Sequence, residues 1–149
     1  QFSNIIIPNK EYQKQWTDVV SNRLSVGMCS PFGLTAIIAA YTEGEEWLDQ
    51  ARAYIDGNIR YIESFVKENL PKAAVMDCQG TYLVWLDLNE YCSDHEKLEE
   101  LMVRKAGIVF DEGYIFGPEG NGFERINAAT QRSTVEACMN RMKAALDTL

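Results

Sequence analysis

The residue best equipped for chemistry is Arg125. In GFERINAAT, residues 122–130, alternation places Phe123, Arg125 and Asn127 on one side of a short strand and Ile126 and Ala128 on the other. A guanidinium is a planar fork of donors that can hold a carboxylate through two parallel hydrogen bonds, and a strand pinned by a core would keep that fork in place. The same pattern describes a strand arginine paired with a structural acid or lying in solvent, and on pattern alone that plainer reading is the default. The other reactive side chains lack company. The single histidine, His95, lies in S-D-H-E at the start of a polar helix, so neither a serine triad nor a His/Cys zinc site has its parts, and no metal ligands are assigned. Cys29, Cys78, Cys92 and Cys138 are far apart and form no C-x-x-C pair, which reads as reduced thiols. DEGYIFGPEGNG, residues 111–122, reads as a surface loop and lacks the lysine and hydroxyl of a phosphate loop.

The elements that must position Arg125 follow from periodicity. Ser133 and Glu136 read as a capping box opening a helix, on which Val135, Met139, Met142, Leu146 and Leu149 repeat every three or four residues. Such a helix packs on a core and pins the strand before it. Nearer the start, three consecutive isoleucines within residues 3–8 read as a strand buried on both faces and stopped by Pro8. Asn9 can cap a helix with Tyr12, Trp16, Val19 and Val20 on one face, a face that needs a partner. Ser30 and Pro31 open a shorter helix carrying Leu34, Ile37, Ile38 and Tyr41, which ends at Gly44. Residues 45–70 keep helical spacing up to Pro71 and form the longest element, with Gly57 inside it as a site of close packing.

Strands are expected at 73–76, at 81–88 and, as an edge, at 108–110. In the second, Tyr82, Val84, Leu86 and Leu88 share one face and Leu83 and Trp85 the other, with Trp85 read as core. Ser93 and Glu96 form another capping box, opening a short helix closed by Gly107. Helices first, then strands mixed with helices through connections that suit antiparallel pairing, give an α+β class: helices packed on a small, mainly antiparallel sheet.

Composition narrows the functions. A chain of 149 residues normally makes one domain with a real core. A net charge of −8 with no basic stretch argues against a nucleic-acid partner, and no apolar run is long enough to suggest a membrane one. A cytoplasmic setting is the expectation. The first residue is glutamine, followed at once by an apolar run, which reads as a sequence beginning inside a longer polypeptide.

Five stretches then stand in a familiar order: SNIIIPN before a helix, SPFGLTAIIAAYTEGEEWL, GTYLVWLDL, the glycine-rich turn around Phe116 and Gly117, and RINAAT before the final helix. Together they cover nearly the whole chain. In this the chain resembles the carboxy-terminal part of a fold-type-I pyridoxal-phosphate enzyme of the class I/II aminotransferase branch, nearest the cystathionine β-lyase-like C–S lyases. The resemblance implies that residues 1–8 end a large cofactor-binding domain and that residues 9–149 are the small domain. It implies that Arg125, with Asn127 in the same R-x-N pattern, binds the α-carboxylate of an amino-acid substrate. Tyr82, two residues after the glycine of GTY, borders that substrate or else packs in the core. Residues 28–31 resemble a segment that approaches the cofactor of the other subunit in a homodimer, and none of them is assigned a role.

The family's Schiff-base lysine, and the aspartate that pairs with the pyridine nitrogen, would both precede Gln1. The resemblance therefore implies pyridoxal 5'-phosphate in the intact enzyme, an N-terminal domain as partner, no catalytic residue in this chain and no stable cofactor binding by it alone. Transamination and β-elimination from a C–S substrate are not distinguished by these residues. The alternative is a free-standing, non-catalytic α+β binding or assembly module.

Overall fold

A computed structural model describes residues 4–26 and 30–149, divided into two compact units, Gln1–Asp49 and Gln50–Leu149. In the first, the Asn9 side-chain oxygen accepts from the amides of Glu11 (2.9 Å) and Tyr12 (3.1 Å). It thereby caps α1, Lys10–Thr17, which widens into a π-type turn over Asp18–Arg23. Extended Ser30 and Pro31 open α2, Pro31–Glu43. No residue of these helices is buried, and Tyr12, Trp16, Ile38 and Tyr41 lie exposed on the faces expected to be apolar. The isoleucine strand is corrected: residues 4–9 form no strand, and Ile6 is 87% exposed. β-Branched side chains favour a strand only where a neighbour completes its hydrogen bonds and covers its face. Residues 1–3 and 27–29, including Ser3, Cys29 and half of the turn at 28–31, lie outside the described residues.

The second unit holds the sheet. Its strands are β1, Ala74–Val75; β2, Leu83–Asp87; β3, Asp111–Glu112; and β4, Phe123–Asn127. They pair antiparallel throughout in the order β1-β2-β4-β3. The helices are α3, Glu45–Asn69, the longest element; α4, His95–Glu100, which runs into a π-type turn over Leu101–Ala106; and α5, Arg132–Leu146. Val84, Leu86 and Ile126 point from one sheet face into a core shared with Ile62 and Val66 of α3 and Met139 and Met142 of α5. This is the expected α+β arrangement, and Val135, Met139, Met142 and Leu146 are all buried as the stripe on α5 requires. Leu149 is not part of that stripe, since it lies beyond the helix end and is 67% exposed.

Three local expectations are corrected. The edge strand is Asp111–Glu112 rather than residues 108–110. Gly107 takes a left-handed conformation (φ 63°) and the Ile108 amide turns back to the Met102 carbonyl at 2.9 Å, so Ile108 is buried while closing a helix. The short helix is capped by Asp94, not Ser93: the Asp94 carboxylate accepts from the Lys97 amide at 3.3 Å and pairs with the Lys97 ammonium at 3.0 Å. Finally, α5 starts at Arg132, placing Ser133 inside the helix, and no adjacent side chain caps it. The Arg132 amide donates instead to the Tyr54 hydroxyl of α3 at 2.8 Å, a cap supplied by tertiary structure.

Around that cap lies the joint between α3 and the end of β4. Asn58 is fully buried, and its amide nitrogen donates to the carbonyls of Ala128 and Thr130, both at 2.8 Å. Its oxygen accepts from Arg132 Nε at 2.8 Å. The Arg132 guanidinium lies 5.0 Å from the Tyr61 ring centre, and a side chain at Gly57 would begin 3.2 Å from Arg132 Nη2. Gly57 thus makes room for the arginine, in agreement with the packing reading. Asn58→Ala removes three hydrogen bonds and leaves carbonyls without partners where water has poor access. The expected loss is about 2–4 kcal/mol, read as a lower urea midpoint at unchanged m-value.

Candidate functional site

The register of β2 against β4 decides what each sheet face carries. Leu83 pairs with Asn127, Trp85 with Arg125 and Asp87 with Phe123, so these six side chains share the face opposite the core. Trp85 is corrected from core residue to half-buried member of a smaller aromatic cluster. It stacks on Phe123 with ring centres 5.6 Å apart and 19° between planes, and meets Phe116 edge-on, also at 5.6 Å. Against this cluster lies Arg125, whose Cζ is 4.5 Å from the Phe116 ring centre.

Asp111 sits directly across from Arg125 on β3. Arg125 Nε and Nη2 both donate to Asp111 Oδ2, at 3.1 and 2.6 Å. The pairing uses one long side of the guanidinium, and Nη1 makes no hydrogen bond to any described residue. The arginine side chain is 28% exposed, so a charge-assisted bond here is better shielded than one on an open surface. Sequence reasoning missed Asp111 because it lay in a stretch assigned to loop.

Asn127 ends β4, and its side-chain oxygen accepts from the Ala129 amide at 2.9 Å, turning the chain. Tyr82 precedes β2 and is 44% exposed rather than core; its carbonyl accepts from the Ala128 amide at 2.8 Å. Before it, Thr81 has φ 65°, a conformation costly for a β-branched residue, and its hydroxyl accepts from the Leu83 amide at 3.3 Å. The ladder therefore brings the Tyr82 backbone beside the strand end that carries Asn127, with Arg125 two residues further along.

The core-facing side holds a second missed residue. Glu124 alternates with Arg125 and so points inward with Ile126; it is 1% exposed, and its Oε2 has no hydrogen-bond partner among the described residues. Glu112 stands opposite it on β3. Close by, the Tyr114 hydroxyl donates to Glu99 Oε2 at 3.3 Å, and the Tyr114 ring lies 4.5 Å from that of His95. The alternation that singled out Arg125 already implied an inward Glu124, so that signal was present in the sequence.

These features define an α+β domain with its core on one sheet face and, on the other, an arginine paired with Asp111 beside an aromatic cluster. No protein-family model matches the chain. It is 36% identical over 146 residues to cystathionine beta-lyase PatB of Bacillus subtilis, a match covering 98% of this chain and 38% of that protein. Among solved structures it aligns with cystalysin from Treponema denticola, which contains pyridoxal 5'-phosphate, at a TM-score of 0.88 and 38% identity over 96% of this chain and 36% of that one. The PLP-bound C–S lyase from Staphylococcus hominis aligns at 0.83 with 32% identity, over 95% and 36%. The resemblance drawn from the sequence holds: the chain is kin to the C-terminal part of fold-type-I pyridoxal-phosphate enzymes, and it spans about 38% of the curated relative's length.

A pyridoxal phosphate site needs a lysine amine to bond the cofactor aldehyde. The chain's lysines lie on helices and turns, and none lies on the strands that present Arg125. The strands that carry Arg125 therefore offer no amine for such a bond. Among the described residues no cluster could hold a metal ion, and no helix is long and apolar enough to cross a membrane.

Glu124 gives the pH dependence. Burial, then the charges of Glu112 and Glu99, raise its pKa to about 8 from the ordinary 4.5. The folded state thus binds a proton that the unfolded chain releases, so this stability is fully present below pH 4.5 and is lost as pH rises through about 8. Glu124→Gln keeps the shape of the protonated acid. It should melt close to the parent at pH 5 and above it at pH 9, by an amount on the order of 4 kcal/mol in unfolding free energy. Parallel denaturation curves for parent and variant across that range would contradict the assignment.

Proposed function

We propose that this chain provides the small domain and the substrate-carboxylate site of a pyridoxal-phosphate enzyme acting on amino acids, either by transamination or by β-elimination from a C–S substrate. The supporting observation is Arg125: a half-buried guanidinium on the sheet face away from the core, held on one side by Asp111 and over one face by Phe116, with its Nη1 edge free of described partners. Asn127 shares that face at the end of β4, and the Tyr82 backbone lies beside the same strand end. In this reading the cofactor and its lysine belong to a large domain to which residues 1–8 are joined. That domain, with a second copy of the chain in a cytoplasmic homodimer, covers apolar residues such as Ile6, Tyr41 and Trp47.

The cofactor supplies the electron sink for amino-acid chemistry. The work of this chain is to bind the carboxylate and fix the orientation of the α-carbon. An arginine serving only the fold would also pair with Asp111, and kinetics separates the two readings. In the full-length protein, Arg125→Ala should lower kcat/KM for the amino acid by about thirtyfold to several-thousandfold, as expected for losing one member of a shielded pair worth about 2–5 kcal/mol. Arg125→Lys should recover only part of this, because an ammonium cannot form the planar fork. Cofactor absorbance should stay normal. If Arg125→Ala distinguishes the amino acid from its carboxamide as strongly as the parent does, the arginine is structural.

A further inference from the structure

We propose that Asp111 is a positioning residue that holds Arg125 side-on and so aims its remaining edge at the substrate carboxylate; the proposal rests on the carboxylate role given to Arg125. A guanidinium has five N–H donors. Asp111 Oδ2 takes Nε–H and one hydrogen of Nη2, at 3.1 and 2.6 Å, through a single oxygen. Left over are the second hydrogen of Nη2 and both of Nη1, and the two that point forward in parallel are the pair a carboxylate accepts end-on. Asp111 and the substrate therefore do not compete: one takes the side of the fork, the other its end.

The rest of the local structure keeps this clamp in place. Asp111 is fixed opposite Arg125 by the β3–β4 ladder. Phe116, which covers the guanidinium face at 4.5 Å, comes from the turn that follows β3. Gly113 and Gly120 close that turn backbone to backbone, so closely that a side chain at either would collide with the other's carbonyl. One short segment thus delivers both the edge partner and the face partner of the arginine. With two of its directions fixed, a long side chain has lost most of its rotamer freedom before the substrate arrives.

Asp111→Ala, Asp111→Asn and Arg125→Ala, made in the full-length protein and assayed with the amino acid and its carboxamide, test this. Asp111→Ala frees the arginine and should raise KM for the amino acid about tenfold with kcat changed less than about twofold, leaving the carboxamide nearly unaffected. Asp111→Asn keeps an oxygen acceptor at the same reach without the charge and should restore KM to within about threefold of the parent. Adding Asp111→Ala to Arg125→Ala should change nothing more, because Asp111 acts only through the arginine. If Asp111→Ala does not fold, Asp111→Ser, whose hydroxyl is too short to reach Nε, takes its place. The proposal is overturned if Arg125→Ala loses carboxylate discrimination while Asp111→Ala keeps the parent KM, or if Asp111→Asn is as impaired as Asp111→Ala. An Arg125→Ala variant that still discriminates removes instead the carboxylate role itself, so the two failures are told apart.

Discussion

The antiparallel ladder between β2 and β4 is the constraint on which the site depends. Its five pairs, from Leu83↔Asn127 to Asp87↔Phe123, determine which residues enter the core and which stay outside. Because side chains alternate with a period of two, a slip of one residue would turn Arg125 into the core and expose Ile126. The cost of burying an unpaired guanidinium makes that slip prohibitive. The same pairing that satisfies the backbone thus also sets the arginine on the open face beside Trp85 and Phe123.

That constraint places two opposite charges of one strand in opposite environments. Arg125 faces outward, where Asp111 and the Phe116 ring meet it and some water remains. Glu124, its neighbour, faces inward with an unpartnered oxygen and two further carboxylates in its field, and the proton that neutralises it relieves both desolvation and repulsion. The outward charge is paired with Asp111, and its Nη1 edge has no hydrogen bond to a described residue. The inward one is kept neutral at ordinary pH, and this keeps a like-charge pair across β3 and β4 tolerable.

The strand is held at its far end by side chains rather than by local signals. Tyr54, Asn58 and Arg132 tie α3 to the segment that leaves β4 and to the first amide of α5. A helix start satisfied in this way needs no adjacent cap, and at position 57 a side chain would begin 3.2 Å from Arg132 Nη2, so glycine eases the fit of the arginine against the helix. Both polar atoms of the buried Asn58 side chain and the first amide of α5 are hydrogen-bonded here, and a satisfied buried polar group favours one arrangement.

Local physics in the sequence determined a good deal. Period-two alternation placed Arg125 and Asn127 together on one face, helical spacing placed Val135, Met139 and Met142 in the core, and Asn9 and Gly107 marked helix ends, because each depends on residues within one or two turns. The order of motifs led to the family and to an α+β class. What the sequence could not determine depended on partners far away along the chain. Whether an apolar run such as Ile5 to Ile7 becomes a strand depends on a neighbour to pair with. Trp85 joined an outer aromatic cluster because Phe116 and Phe123 reach it there, and α5 began at Arg132 because a tyrosine 78 positions away accepts its first amide. Asp111 became the partner of Arg125 only when a two-residue edge strand paired with β4. Such long-range pairings carry no local periodicity, so only the assembled sheet decided what stands next to the arginine.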